Sequence, residues 1–369
     1  MPQQTPKNTS TVQRLIDAVS AIFLPVVGLM SGCGLLHGIL SLLLRLSVLS
    51  STEGTYRILY AAADAPLYFL PVLLGVTAAK KIGANPITAA AVGCFLLYPT
   101  LSAAFEGGET LSFLSLPVPA VIYHSGVIPI LFSVFLQKYL EKLLKKLLPD
   151  SVHGIFIPIV SLVLCALAVL LLFGPVGAKI GEGIAFAYEA AYTFSPLIAG
   201  ILLGGSIQLL VMFGFHWPLL LTAMNNIALH GFDTVTVLMA PAVLAQAGAA
   251  LAVCCKTQKK GDRALCLSAA VSSFFGVTES AMFGVNLPRK RPMLFVLIGG
   301  AVGGAVAGIS GASASAFALP SAVSLPVFLG DGFMLFLISC GIGLVLPFLL
   351  TLFFYHEKET PVPTDGKEN

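Results

Sequence analysis

The sequence predicts an all-α polytopic membrane protein, with about ten transmembrane helices plus re-entrant hairpins. Three observations carry this expectation: composition, the spacing of the charges, and the clustering of the basic ones. Of 369 residues, 57% are hydrophobic and 10% charged, and mean hydropathy is +0.94. A soluble globular chain carries about 25% charged residues, so a water-facing surface cannot be covered here. That excludes a soluble enzyme, a disordered chain and a nucleic-acid-binding protein. The net charge of +3 is too small to argue for an anionic partner.

The charge-free stretches, in order, are 18–44, 65–79, 82–105, 110–137, 151–178, 190–232, 234–255, 264–278, 292–330 and 332–356. A helix needs roughly 20 apolar residues to cross the hydrocarbon core. Most of these stretches are of single-span length, among them 110–137 and 151–178. The stretch 65–79 reaches it once the apolar residues from Ile58 to Ala63 are added. The stretches 190–232 and 292–330 are long enough for two passes, or for one pass plus a broken hairpin. In 190–232 a short second pass would break around His216-Trp217-Pro218. The short 264–278 suits a re-entrant segment better than a crossing.

Most of the 20 basic residues cluster: Lys80-Lys81, then Lys138, Lys142, Lys145 and Lys146, then Lys256, Lys259, Lys260 and Arg263, then Arg289-Lys290-Arg291. The intervening loops are poor in them. The positive-inside rule therefore puts these clusters and both termini in the cytoplasm. The first apolar run begins near Leu15 and is too long for a cleavable signal. The chain reads as a short cytoplasmic segment (1–13), a membrane domain (14–356) and a polar, disordered cytoplasmic tail (357–369). Within the membrane domain, the alternation of basic and base-poor loops is consistent up to residue 174, which divides it into 14–174 and 175–356.

Several segments break the apolar pattern. Gly276–Pro288 holds Glu279, Asn286 and two glycines. An intramembrane carboxylate costs about 2.5–3.5 kcal/mol on insertion scales, so Glu279 should face a partner or an aqueous cavity. The bland alternative is a structural ion pair or an interfacial hairpin residue. The flanking glycines, which loosen the backbone as transporter sites require, favour the functional reading. The run Gln208–Asn226 contains Gln208, His216, Trp217 and Asn225-Asn226. Trp217 reads as an interfacial anchor or as the wall of a sugar site. His216 reads equally as a ligand contact or as a buried structural donor. The glycines of Gly299–Gly308 have small-xxx-small spacing and point to helix packing.

Asp64 reads as an interface or helix-terminal charge. His37, His124, His153 and His230 read as structural or interfacial, Asp233 and Asp331 as turn residues, and Arg45 as snorkelling. The seven cysteines are scattered without metal or redox spacing. No phosphate-binding GxxxxGK[ST] and no His/Glu metal motif occurs, so no cofactor or metal is expected. Carboxylate, amide, imidazole and one aromatic form the set of groups a polar, uncharged solute such as a sugar requires. A carboxylate can accept charge-assisted bonds from two neighbouring hydroxyls.

Gly276–Leu287 resembles the G-I-T-E-P-A-I-[FY]-G-V-N-L signature of the membrane component, EIIC, of bacterial phosphoenolpyruvate-dependent sugar phosphotransferase systems. The resemblance is to the glucose superfamily, most closely to its β-glucoside/sucrose/trehalose branch. Phe69-Leu70-Pro71, Ala78–Lys81 and Gly83–Pro86 are similar to the family's second and third helices. Ser125–Ile130 resembles its S-S-V-I-P-I. Phe213–Trp217 with Asn225–Ala228 is similar to F-G-x-H-W…N-N-I-A. Pro241–Ala250 and Leu325-Pro326 also match.

The resemblance implies a homodimer in the bacterial cytoplasmic membrane, in contact with lipid. Such a protein binds a glucoside or disaccharide at the midplane and presents it to a phosphocysteine on EIIB. It implies a sugar-binding set of Glu279, His216, Gln208, Asn226, Trp217 and Thr278. Glu279 or His216 would orient the accepting hydroxyl or take its proton. Two departures stand out. Ser280 replaces the family's usual Pro and should loosen the hairpin. Cys255-Lys256-Thr257 does not continue into the EIIB nucleophile motif, so EIIB and EIIA are expected in trans. The chain would then be a subunit of a sugar phosphotransferase without its own phosphorylated cysteine. A phosphorylation-independent sugar facilitator, or a non-transporting sugar sensor, is the alternative.

Overall fold

The computed structural model describes residues 11–123 and 127–356. His124, part of the Ser125–Ile130 match, the side chain of Arg45 and the 357–369 tail lie outside the described residues. The chain opens with α1 (Thr11–Arg45). Next come α2 (Gly54–Tyr68) and α3 (Leu70–Ile82), bent by 42° at Phe69, with Pro71 in the first turn of α3. Two further helices, α4 (Pro86–Leu96) and α5 (Pro99–Glu106), meet at 43°. A small hairpin of β1 (Leu111–Phe113) and β2 (Leu116–Val118) follows.

The start of α4 is built by its sequence. Pro86 occupies the first turn, where no N–H is needed. The Asn85 side chain caps it, accepting from Ile87 N (2.9 Å) and Thr88 N (3.3 Å). The Asn85 N–H in turn donates to the buried Glu141 carboxylate (3.1 Å), which also accepts from Gln137 Nε2 (2.6 Å). This ties α4 to α6 (Ile128–Leu147). After α6 come α7 (His153–Ala168), a π turn (Val169–Phe173) and α8 (Gly174–Phe194), which form one continuous helical stretch. Then follow α9 (Pro196–Phe213), α10 (Trp217–His230), α11 (Val235–Lys256) and α12 (Lys260–Phe274). The last part holds α13 (Glu279–Ala281), a π turn (Met282–Asn286), α14 (Leu287–Arg289), α15 (Arg291–Ile309) and α16 (Phe333–Phe354).

Among the described residues, six helices are long and apolar enough to cross a membrane, or eight if each bent pair counts as one span. About ten crossings were expected; the length and apolarity of the helices by themselves give this coarser count. The charge-free stretch 110–137 contains a β-hairpin rather than a full helix. The helix that follows it, α6, carries Lys138, Glu141, Lys142, Lys145 and Lys146. With 14 and 15 residues, α10 and α12 reach only about 21–23 Å at 1.5 Å per residue. Large apolar side chains exposed on outer faces, such as Ile155, Phe186 and Met334, suit a lipid-facing surface. The protein is a multi-pass membrane protein.

At the centre lies α11, with almost every residue buried between α9, α15 and α16. In lipid the helices gain little from the hydrophobic effect, so close backbone approach must hold them. The glycines supply it. A Cβ on Gly200 or Gly204 of α9 would overlap the carbonyl of Gly304 or Gly300 on α15, and the reverse also holds. A Cβ on Gly248 of α11 would overlap Leu344 O of α16. The glycine-rich run of α15 is thus consumed by packing. Replacing Gly304 with Val should destabilise the fold by about 1–3 kcal/mol through overpacking. Gly341→Ala, where a Cβ meets nothing within 4 Å, should be near neutral. Thermal unfolding of the purified protein in detergent reads the difference.

Candidate functional site

A cavity of about 270 Å³ opens where several helix breaks converge. Asp64, Leu67 and Tyr68 of α2 border it, with Ile207, Gln208 and Val211 of α9 and Met239 and Val243 of α11. His216 and Trp217 enter at the α9–α10 break, and Gly276 to Glu279 with Phe283 enter from the hairpin after α12. Its size is near the lower end for small-ligand pockets, about 300–1,000 Å³.

Each break has a local cause. At Phe213, α9 ends with Gly214 in the left-handed conformation (φ 77°), a position few side chains tolerate. Pro218 then sits in the first turn of α10, and His216 immediately precedes that helix. The backbone thus turns with His216 and Trp217 at the cavity; their rings lie 5.6 Å apart. The Nδ1 atom of the imidazole is buried with no partner among the described residues. Gly276 (φ 94°) ends α12 in the same way, and Ser272 Oγ donates to Val277 O (2.9 Å) to fix the turn. Phe23 of α1 stacks on Phe283, ring planes 9° apart, and holds the hairpin from behind.

The hairpin carries Thr278 and Glu279 to the cavity. Glu279 is the first residue of the short α13, so its carboxylate sits where the hairpin turns back into helix. No ion pair engages it among the described residues, where the carboxylates paired to bases are Asp64 and Asp150. The structural ion pair considered for Glu279 is therefore not formed. A carboxylate so placed retains acceptor capacity for a ligand.

Of the six candidate residues, Glu279, His216, Gln208, Trp217 and Thr278 line this one cavity. Asn226 does not. It lies on α10, and its Nδ2 donates to Asp233 Oδ1 (3.3 Å). Asp233 is more than a turn residue. It is fully buried, and its carboxylate accepts from Val235 N (3.0 Å), Thr236 N (2.9 Å) and Thr236 Oγ1 (2.7 Å). Asn226 supports that helix start. Asp64, which its sequence position marks only as a helix-terminal charge, borders the cavity, with His37 Nε2 3.8 Å from its Oδ1. The signal that singles out Glu279, an acid in an apolar run, applies to Asp64 as well.

Ser280, at the second position of α13, is fully buried, and its Oγ has no partner. Its N–H falls in the first turn, where proline is tolerated. Ser280→Pro should therefore raise stability by about 1 kcal/mol, by removing an unsatisfied hydroxyl and chain entropy. A higher unfolding midpoint in detergent checks it.

Residues 20–300 match the family described as Phosphotransferase system, EIIC. The chain is 39% identical over 328 residues to the PTS system beta-glucoside-specific EIIBCA component of Dickeya chrysanthemi, covering 88% of this chain and 52% of that protein. It is 34% identical over 361 residues to the beta-glucoside-specific EIIBCA component of Bacillus subtilis (strain 168), covering 97% and 59%. To the sucrose-specific EIIBC component of Klebsiella pneumoniae it is 32% identical over 304 residues, covering 81% and 67%. The chain thus spans about half the length of the beta-glucoside relatives it matches. By this kinship the chain belongs to the phosphotransferase-system EIIC family.

Proposed function

We propose that this chain is the sugar-translocating membrane subunit of a phosphoenolpyruvate-dependent phosphotransferase system. It binds a glucoside or a disaccharide in the cavity and presents it for phosphorylation by EIIB, which EIIA recharges. The observation that carries this reading is the convergence of five groups on one cavity: the Glu279 carboxylate, the His216 imidazole, the Gln208 amide, the Thr278 hydroxyl and the Trp217 indole. Vicinal hydroxyls suit the carboxylate, sugar C–H faces suit the indole, and among the described residues no Lys or Arg borders the cavity to select an anion. Kinship to beta-glucoside and sucrose components favours phosphorylation-coupled transfer over a facilitator or a sensor.

The chemistry divides cleanly. A sugar hydroxyl oxygen attacks the phosphorus of the EIIB phosphocysteine, the P–S bond breaks, and the hydroxyl proton leaves. Glu279 or the His216 imidazole, both at the cavity, accepts that proton. The rest of the reading is the homodimer, lipid contact, both termini in the cytoplasm, about ten crossings, and a scaffold half (14–174) with a transport half (175–356). Basic clusters at Lys80-Lys81 and Arg289–Arg291 support the orientation.

Membranes carrying the chain, supplied with matching EIIA and EIIB, should phosphorylate a glucoside from phosphoenolpyruvate. Glu279→Gln and His216→Ala should each reduce this at least a hundredfold while membrane insertion persists. Wild-type activity in both variants would remove the site assignment.

A further inference from the structure

We propose that Gln246 and Asn286, neither of which lines the cavity, are positioning residues that, together with the Ala242 carbonyl, hold the Gln208 amide in the direction it presents to the sugar; this rests on the sugar-site reading above. Three buried carboxamides form a ladder. Gln208 of α9 is 1% exposed, and Gln246 of α11 and Asn286 of the π turn are fully buried. Gln208 Nε2 donates to Ala242 O (3.2 Å). Gln246 Nε2 donates to Gln208 Oε1 (3.1 Å). Asn286 Nδ2 donates to Gln246 Oε1 (2.6 Å) and to Gln246 O (3.1 Å).

The direction of this ladder is determined by its ends. A carboxamide can be turned end for end without changing its shape, so its hydrogen bonds must decide which atom is oxygen. Two backbone carbonyls, Ala242 O and Gln246 O, terminate the ladder, and a carbonyl can only accept. Turning the three amides would set Gln208 Oε1 against Ala242 O, and Asn286 Oδ1 against Gln246 O. Both are acceptor–acceptor contacts in an interior where no water completes the lost bonds cheaply. Gln208 is thereby left with one N–H and one lone pair beyond the ladder, at the cavity it borders. That is a directed donor–acceptor pair for sugar hydroxyls.

The ladder also adds a polar link between two cavity-lining elements that share an apolar cluster. Gln208 belongs to α9, while Asn286 closes the π turn that follows Glu279. The link between them is Gln246 on the most buried helix of the molecule. A π turn costs helix geometry and is found mostly at functional positions. Here it brings Asn286 within reach of both acceptors of Gln246.

The test measures binding of methyl β-D-glucoside and its four monodeoxy analogues to the purified full chain. Variants are Gln208→Ala, Gln246→Met, which keeps volume but not hydrogen bonds, and the double variant. The readout is the ratio of each analogue's dissociation constant to that of the parent sugar. Wild type should weaken about five- to tenfold for the analogue lacking the hydroxyl that Gln208 meets. Both single variants should bring that one ratio close to 1 and leave the other three in place. The double variant should add nothing further.

A Gln246→Met chain with the wild-type set of ratios, or with all four lowered together as a merely structural role would give, overturns the proposal. So does a Gln208→Ala chain with no ratio changed. If Gln246→Met does not fold, Asn286→Ala takes its place: loss of the one ratio supports the proposal, and wild-type ratios overturn it. If the wild-type chain binds no glucoside, the sugar-site reading itself falls, a result distinct from any of these.

Discussion

The structure depends on one constraint: a carboxylate, Glu279, sits in a helical interior with no ion pair to offset it among the described residues. Such a group is costly to bury unless something else completes its hydrogen bonds. The surroundings are arranged to keep it at a cavity rather than to neutralise it. Gly276 turns the chain, Ser272 holds the turn, and Phe23 stacks behind Phe283. The remaining acceptor capacity is what the proposed function uses.

That arrangement needs a rigid frame. A bilayer supplies little hydrophobic drive between helices, and close contact across Gly200, Gly204, Gly300 and Gly304 takes its place. With side chains absent at those points, α9 and α15 meet along their backbones and bring α11 close to both. Gln208, Gln246 and Met239 then occupy fixed positions relative to the hairpin. On α9 the packing glycines Gly200 and Gly204 and the cavity-lining Gln208 therefore share one helix. A substitution at the first kind shifts the second.

The helical, multi-pass character was legible because charge-free runs of span length leave few other solutions. The number of spans was not, because run length does not distinguish a helix from the 111–118 hairpin or from a pair bent at Phe69. Glu279, His216, Gln208, Trp217 and Thr278 could be singled out as polar or aromatic residues in apolar runs, and they line one cavity. Asn226 shows the limit of that rule. It is equally polar in an equally apolar run, yet it supports the buried Asp233 at the start of α11. Periodicity cannot separate the two cases, because the partner lies seven residues away across a turn. Asp64 was passed over for the opposite reason, since a carboxylate near a helix end has an ordinary explanation. Gln246 and Asn286 were invisible as a pair, because their relation exists only once α11 and the π turn are brought together.

The most direct measurement is a cryo-electron microscopy map of the full chain with methyl β-D-glucoside bound. Density for the sugar ring should fill the cavity, with a hydroxyl within hydrogen-bond distance of the Glu279 carboxylate and the Trp217 ring against its C–H face. A sugar bound elsewhere in the chain, with this cavity empty, would contradict the assignment of Glu279 as a ligand-facing group.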